Sequence, residues 1–102
     1  MTDYPVIINV ILAEVSRARS MYPKFASAHE GYAVLLEEMT ELQSEVFKSP
    51  KNRDYKAMKE EAIQVAAMAI RFLIDVTPKE NSIETTLPPR LIPDADGFIY
   101  EK

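Results

Sequence analysis

The sequence predicts an all-α protein, a helical bundle of three main helices followed by an extended C-terminal tail. Three stretches repeat apolar residues at three- and four-residue steps, which is the spacing of one helix face. Proline or a polar loop signal bounds each stretch, and residues 78–102 keep no helical period. We therefore divide the 102-residue chain into a helical domain, residues 1–77, and a tail, residues 78–102.

The first helix is expected to begin near Asp3 and to end at about Met21, before Pro23. Pro5 falls at an early helical position, where a missing N–H does no harm, and Arg19 lies in the last turn, where positive charge suits the helix dipole. The helical spacing of the apolar residues predicts a core helix: Ile7, Ile8, Ile11, Val15 and Ala18.

The second helix is expected to begin at Ser27, because Ser27-Ala28-His29-Glu30 has the pattern of a capping box. It should end at about Lys48, since Ser49-Pro50-Lys51-Asn52 is a loop signal. The apolar residues of this helix form a seam suited to bundle packing: Tyr32, Leu35, Met39, Leu42 and Val46.

The third helix is expected to begin after an N-cap at Asn52, with Asp54 in its first turn, and to run to Val76 before Pro78. Four alanines between residues 62 and 69 would let another helix approach closely. The helix repeats the apolar seam and should be buried: Met58, Ala62, Val65, Ala69, Phe72 and Val76.

The tail holds four of the seven prolines, and the Pro88-Pro89 pair favours an extended path. It is too apolar for a solvated linker, so we expect it to pack on the bundle or on a partner subunit. Three amphipathic helices also leave apolar surface that one short chain does not cover. We therefore expect oligomerisation, as a homodimer or homotetramer, to complete the bundle core.

The net charge of −4 argues against a polymeric nucleic acid partner, because phosphate backbones attract surfaces rich in Lys and Arg. The chain has no cysteine, which suits a reducing cytoplasm. Residues 6–15 are apolar but too few to span a bilayer, and they lack the basic start and cleavage site of a signal peptide. We expect a cytoplasmic protein with no membrane partner.

Acidic side chains on the second and third helices are placed to form a cation site. Glu38 and Glu41 lie three residues apart and share one helix face, as do Glu61 and Gln64. All four border the apolar seams, so facing seams would bring their oxygens together at one edge of the interface. This arrangement predicts an oxygen cage for a divalent cation.

The charge pattern of the second helix also favours a bound cation. Glu37 and Glu41, and Glu41 and Glu45, are like-charge pairs four residues apart, and such pairs disfavour a helix. A hard cation such as Mg²⁺ would neutralise them. The alternative interpretation is a solvated glutamate-rich face, because Glu is a good helix former and is common on surfaces.

The motif Glu37-Glu38-Met39-Thr40-Glu41, followed after 19 residues by Glu61-Ala62-Ile63-Gln64, resembles the signature of the MazG-like all-α nucleoside triphosphate pyrophosphohydrolases. That signature is EExxE, a variable spacer and ExxD. The segments 29–38 and 59–69 are similar to the two core helices of small phage and bacterial members. The resemblance covers about residues 28–76.

By this resemblance Glu38, Glu41 and Glu61 bind Mg²⁺, with Mn²⁺ as the alternative ion, and Glu37 is the first acid of the motif. Gln64 stands where the family has Asp, so it offers a carbonyl oxygen without charge. Either the site works with three carboxylates, with Glu45 or Glu60 as a further acid, or the protein keeps the fold and has lost the activity.

The resemblance implies hydrolysis of a nucleoside triphosphate, NTP or dNTP, to the monophosphate and pyrophosphate in nucleotide-pool housekeeping. Glu37 or Glu41 would orient the attacking water. The candidates for contacting the phosphates are Lys56, Lys59 and Arg71, or Arg17 and Lys24. Alternatively, each is a solvated surface charge. The alternative function is that of a non-catalytic MazG-like helical module that binds a partner or a nucleotide.

Overall fold

The computed structural model describes residues 4–77, together with Pro88 and Leu91. The described residues form no strand, and their α-helices are α1 (Tyr4–Met21), α2 (Ala28–Val46) and α3 (Tyr55–Val76). A short 3-10 helix, Pro50–Asn52, lies between α2 and α3. The all-α prediction is confirmed. The predicted first-helix start at Asp3 and the rest of the tail lie outside the described residues.

The start of α2 follows the predicted capping pattern with one difference. The Ser27 hydroxyl accepts a hydrogen bond from the Glu30 N–H at 3.1 Å. The Glu30 carboxylate reaches back to the N–H of Ala26, at 2.7 Å, and so bonds one residue before the N-cap. Both contacts satisfy backbone donors before the helical ladder begins, which fixes where α2 starts.

The predicted N-cap of α3 is wrong, because Asp54 caps this helix and Asn52 does not. The Asp54 carboxylate accepts from the N–H groups of Lys56 and Ala57, at 3.0 and 3.2 Å. Asn52 ends the preceding 3-10 helix, and its N–H donates to the Ser49 carbonyl at 2.8 Å. A charged carboxylate at the N-cap also interacts favourably with the positive end of the helix dipole.

Helix α3 is the centre of the fold. It packs against both α1 and α2, whereas α1 and α2 do not approach each other closely within the described chain. The core where the elements meet is small and consists of Val15, Ala18, Phe25, Ala67 and Met68. This arrangement leaves a cleft between α1 and α2, with α3 as its floor.

Much of the apolar surface of α1 is exposed. The side chains with exposed fractions between 43% and 73% include Tyr4, Val6, Ile7, Ile8, Val10 and Leu12. Monomeric proteins seldom leave so continuous an apolar surface uncovered. The completion of the core by a second subunit stays a prediction. No helix in the described part of the chain is long and apolar enough to cross a membrane.

Gly31 lies where two phenylalanine rings meet α2. A Cβ atom at this position would lie 2.8 Å from Phe72 Cδ2 and 3.1 Å from Phe25 Cδ2. The absence of a side chain therefore lets α2 pack closely against these rings.

We predict that Gly31→Ala destabilises the protein, although alanine favours a helix by about 1 kcal/mol over glycine. The added methyl group would displace the two rings, and the cost of that displacement should exceed the gain. We expect the free energy of unfolding to fall by about 1–2 kcal/mol. Urea unfolding measures the change. In a Phe72→Leu background the loss should shrink, and an equal loss there would contradict the proposed steric cause.

Candidate functional site

The cleft between α1 and α2 has a volume of about 550 Å³ and receives side chains from all three helices. Its acidic end is formed by Glu14, Glu38, Glu41, Glu61 and Gln64. Its other end is formed by Tyr22 and Phe25 of the α1–α2 linker and by Met68 and Arg71 of α3. Because Glu61, Gln64, Met68 and Arg71 follow at three- and four-residue steps, one face of α3 forms the whole floor.

Three carboxylates meet at the acidic end, and we call Glu38, Glu41 and Glu61 the acid trio. One oxygen of each lies within 4.8 Å of the others. Glu61 Oε2 is buried and has no hydrogen-bond partner among the described residues. A buried acceptor without a partner is costly and calls for a proton or a cation.

Crowding in the acid trio changes how readily its members ionise. In its protonated form Glu61 can donate a hydrogen bond to Glu41, and this bond, together with burial and the neighbouring carboxylates, raises the pKa of Glu61 from 4.5 to about 7. Burial, and next the charge of Glu41, also raises the pKa of Glu38. Near pH 7 Glu61 therefore still holds a proton in a fraction of the molecules. Charged oxygen donors around an unpartnered buried oxygen fit a hard divalent cation such as Mg²⁺.

Gln64 borders the acid trio and is hydrogen-bonded to Glu14, a residue that was not predicted from the sequence. Its Nε2 donates to Glu14 Oε2 at 2.7 Å. Arg17 binds both oxygens of Glu14, through Nε at 2.8 Å and through Nη2. The hydrogen bond from Arg17, together with that from Gln64, lowers the pKa of Glu14. The available sequence signal was that Glu14 adjoins the buried residue Val15.

Arg71 fastens the α1–α2 linker to α3 at the other end of the cleft. Only 3% of this residue is exposed. Its Nη2 donates to the Pro23 carbonyl at 3.0 Å, and its guanidinium lies 4.4 Å from the centre of the Phe25 ring. Asp75 lies 4.0 Å from Nη2 and accepts from the Phe25 N–H at 3.2 Å. These contacts hold the linker in place.

The structure brings only part of the predicted site together. Glu38, Glu41, Glu61 and Gln64 all line the cleft, as does Arg71.

The remaining candidates lie elsewhere. Glu37 on α2 and Glu60 on α3 are exposed and do not line the cleft. Glu45 also lies outside the cleft lining and pairs with Lys48 at 2.9 Å.

Lys56 is exposed near the start of α3, and Lys59 borders a separate apolar groove between α1 and α3. The phosphate roles of Lys56, Lys59 and Arg71 stay predictions. Of the other two phosphate candidates, Arg17 lines the cleft and Lys24 does not.

Comparisons of the chain with protein-family models, curated proteins and solved structures gave no match. The MazG-like resemblance therefore rests on the motif formed by residues 37–41 and 61–64.

We predict that the metal-free protein loses stability as the pH rises from about 4.5 to about 7. In this window the folded chain keeps a proton on Glu61 that the unfolded chain releases, so the free energy of unfolding must fall. A pKa difference of one unit corresponds to about 1.4 kcal/mol. Because water reaches the open cleft, we expect a loss on the order of 1–2 kcal/mol in all.

Thermal unfolding in a chelating buffer at several pH values measures this loss. Glu61→Gln should make the profile between pH 4.5 and 7 less steep, and the raised pKa of Glu38 accounts for the slope that remains. Glu14 has a lowered pKa and contributes in the opposite sense, but its contribution is lost only below its ordinary pKa of 4.5. A native profile that rises across the window would contradict the prediction.

Proposed function

We propose that this chain is a Mg²⁺-dependent nucleoside triphosphate pyrophosphohydrolase, which forms a nucleoside monophosphate and pyrophosphate. The observation that carries the proposal is the buried, unpartnered Glu61 Oε2 within the acid trio at the acidic end of the cleft. The motif resemblance supports the same activity. A volume of about 550 Å³ also falls within the range of small-molecule sites.

The acid trio would hold the Mg²⁺, with Mn²⁺ as the alternative ion, and Gln64 would add a neutral carbonyl oxygen. When bound, the metal neutralises phosphate charge and lowers the pKa of a bound water. The donor set fits such an ion because three carboxylates stand together and one of their buried oxygens lacks a partner.

The remaining cleft residues bind and orient the substrate in this proposal. Glu41 is the most exposed member of the trio, so it is better placed than Glu37 to orient a water and accept its proton. Tyr22, Phe25 and Met68 give the other end of the cleft an aromatic and apolar surface against which a nucleobase can pack.

A second copy of the chain is the proposed partner of the apolar surface of α1. This surface continues into a groove of about 420 Å³ between α1 and α3, lined by Val6, Ile7, Val10, Ile11, Lys59, Ala62 and Ile63. The small core of the single chain supports this part of the proposal. We place the activity in nucleotide-pool housekeeping in the cytoplasm.

We predict Mg²⁺-dependent release of pyrophosphate from at least one member of a panel of NTPs and dNTPs. Glu38→Gln should lower kcat/KM by about 100-fold or more, because it removes a charged oxygen from the acid trio. The matched control is Glu60→Gln, which removes the same charge from an exposed residue that does not line the cleft. No release from any nucleotide, or equal rates in Glu38→Gln and the native protein, would refute the proposal.

The neutral Gln64 favours a second candidate function, a non-catalytic helical module that binds a partner or a nucleotide. For such a module we predict that Gln64→Asp creates strong turnover from an inactive parent, because it supplies the missing negative charge. For an active native enzyme, the same substitution should change kcat/KM by less than about tenfold. Pyrophosphate release by the two proteins distinguishes these functions.

A further inference from the structure

Gln64 presents a chemical problem for the proposed cation site. A primary amide has an NH₂ end that donates hydrogen bonds and a carbonyl end that accepts them. Beside three carboxylates, the NH₂ end would be drawn towards the acid trio and would present its positive end to any cation. An unrestrained glutamine would therefore compete with the metal instead of binding it.

Glu14 removes this competition by accepting a hydrogen bond from the NH₂ end. The Nε2–Oε2 distance is 2.7 Å, and the Glu14 side chain is only 13% exposed. Arg17 holds both carboxylate oxygens of Glu14, so the acceptor is fixed before Gln64 meets it. Because the nitrogen and oxygen leave the amide carbon in different directions, the Gln64 carbonyl oxygen is directed away from Glu14.

We propose that Glu14 is a positioning residue, which holds the Gln64 amide so that its carbonyl oxygen serves as the fourth oxygen donor beside the acid trio. The inference rests on the proposed function, since it concerns the same cation site. It gives a physical reason why glutamine can stand where the resembled signature has aspartate. Arg17 takes part indirectly by fixing the Glu14 carboxylate.

The test is a double-mutant cycle on the full chain, with the affinity for Mg²⁺ measured by titration calorimetry. Glu14→Gln should weaken Mg²⁺ binding by about 10–100-fold, the usual effect of losing a residue that orients a metal ligand. The control Glu60→Gln removes the same charge from an exposed residue that borders, with Glu14 and Gln64, the groove next to the cleft. It should change the affinity by less than about threefold, because an exposed charge is screened. In a Gln64→Asp background, Glu14→Gln should have little effect, since a carboxylate needs no such orientation.

The outcomes separate this inference from the proposed function. Absence of Mg²⁺ binding by the native protein would overturn both. If the native protein binds Mg²⁺ but Glu14→Gln behaves like Glu60→Gln, the positioning role fails and the cation site stands. The positioning role also fails if Glu14→Gln weakens binding equally in the native and Gln64→Asp backgrounds. Circular dichroism of each variant verifies that it is folded.

A measurement on the native protein keeps the test valid even if Glu14→Gln does not fold. The chain has only two glutamines, Gln43 and Gln64, so their side-chain amide signals can be assigned by NMR with Gln64→Asp as the reference. The NH₂ protons of Gln64 should exchange with water more slowly than those of the exposed Gln43. Equal exchange rates would overturn the positioning role.

Discussion

Like-charge repulsion within the acid trio is the constraint to which the rest of the fold must adapt. Two of the carboxylates come from α2 and one from α3, and their oxygens lie within 4.8 Å of one another. Separating α2 from α3 would relieve the repulsion, but it would also remove Val34 and Leu35 of α2 from the core that they cover. Because apolar burial keeps the two helices together, the charge must be relieved by a proton or by a cation.

The three helices could be predicted because their signals are local in the sequence. Ser27 and Glu30 cap α2 within four residues of each other, and Pro23 ends the preceding segment. The cap of α3 could not be decided in this way, since Asn52 and Asp54 are both good capping residues at neighbouring positions. The choice depends on the 3-10 helix, which uses the Asn52 N–H and leaves Asp54 to begin α3.

The difference between local signals and contacts that are distant in the sequence also explains which parts of the site could be predicted. Glu38, Glu41 and Glu61 follow from helical spacing and from the apolar seams that face each other, so their convergence could be expected. Glu14 meets Gln64 across 50 residues of sequence, and the contact depends on how α1 lies against α3. No local pattern carries that information. The linker contacts of Arg71 escaped prediction for the same reason, because Pro23 is 48 residues away.

The two ends of the cleft are built on different physical principles. At the linker end, Arg71 is buried among a carbonyl, a ring and the Asp75 carboxylate, and this fixes the separation of the linker from α3. At the acidic end, α1 and α2 do not approach each other closely within the described residues. There the hydrogen bond between Gln64 and Glu14 joins α1 to the floor, in addition to the apolar contacts that Val15 and Ala18 make in the core. Because Gln64 also borders the acid trio, one side chain links the trio to α1.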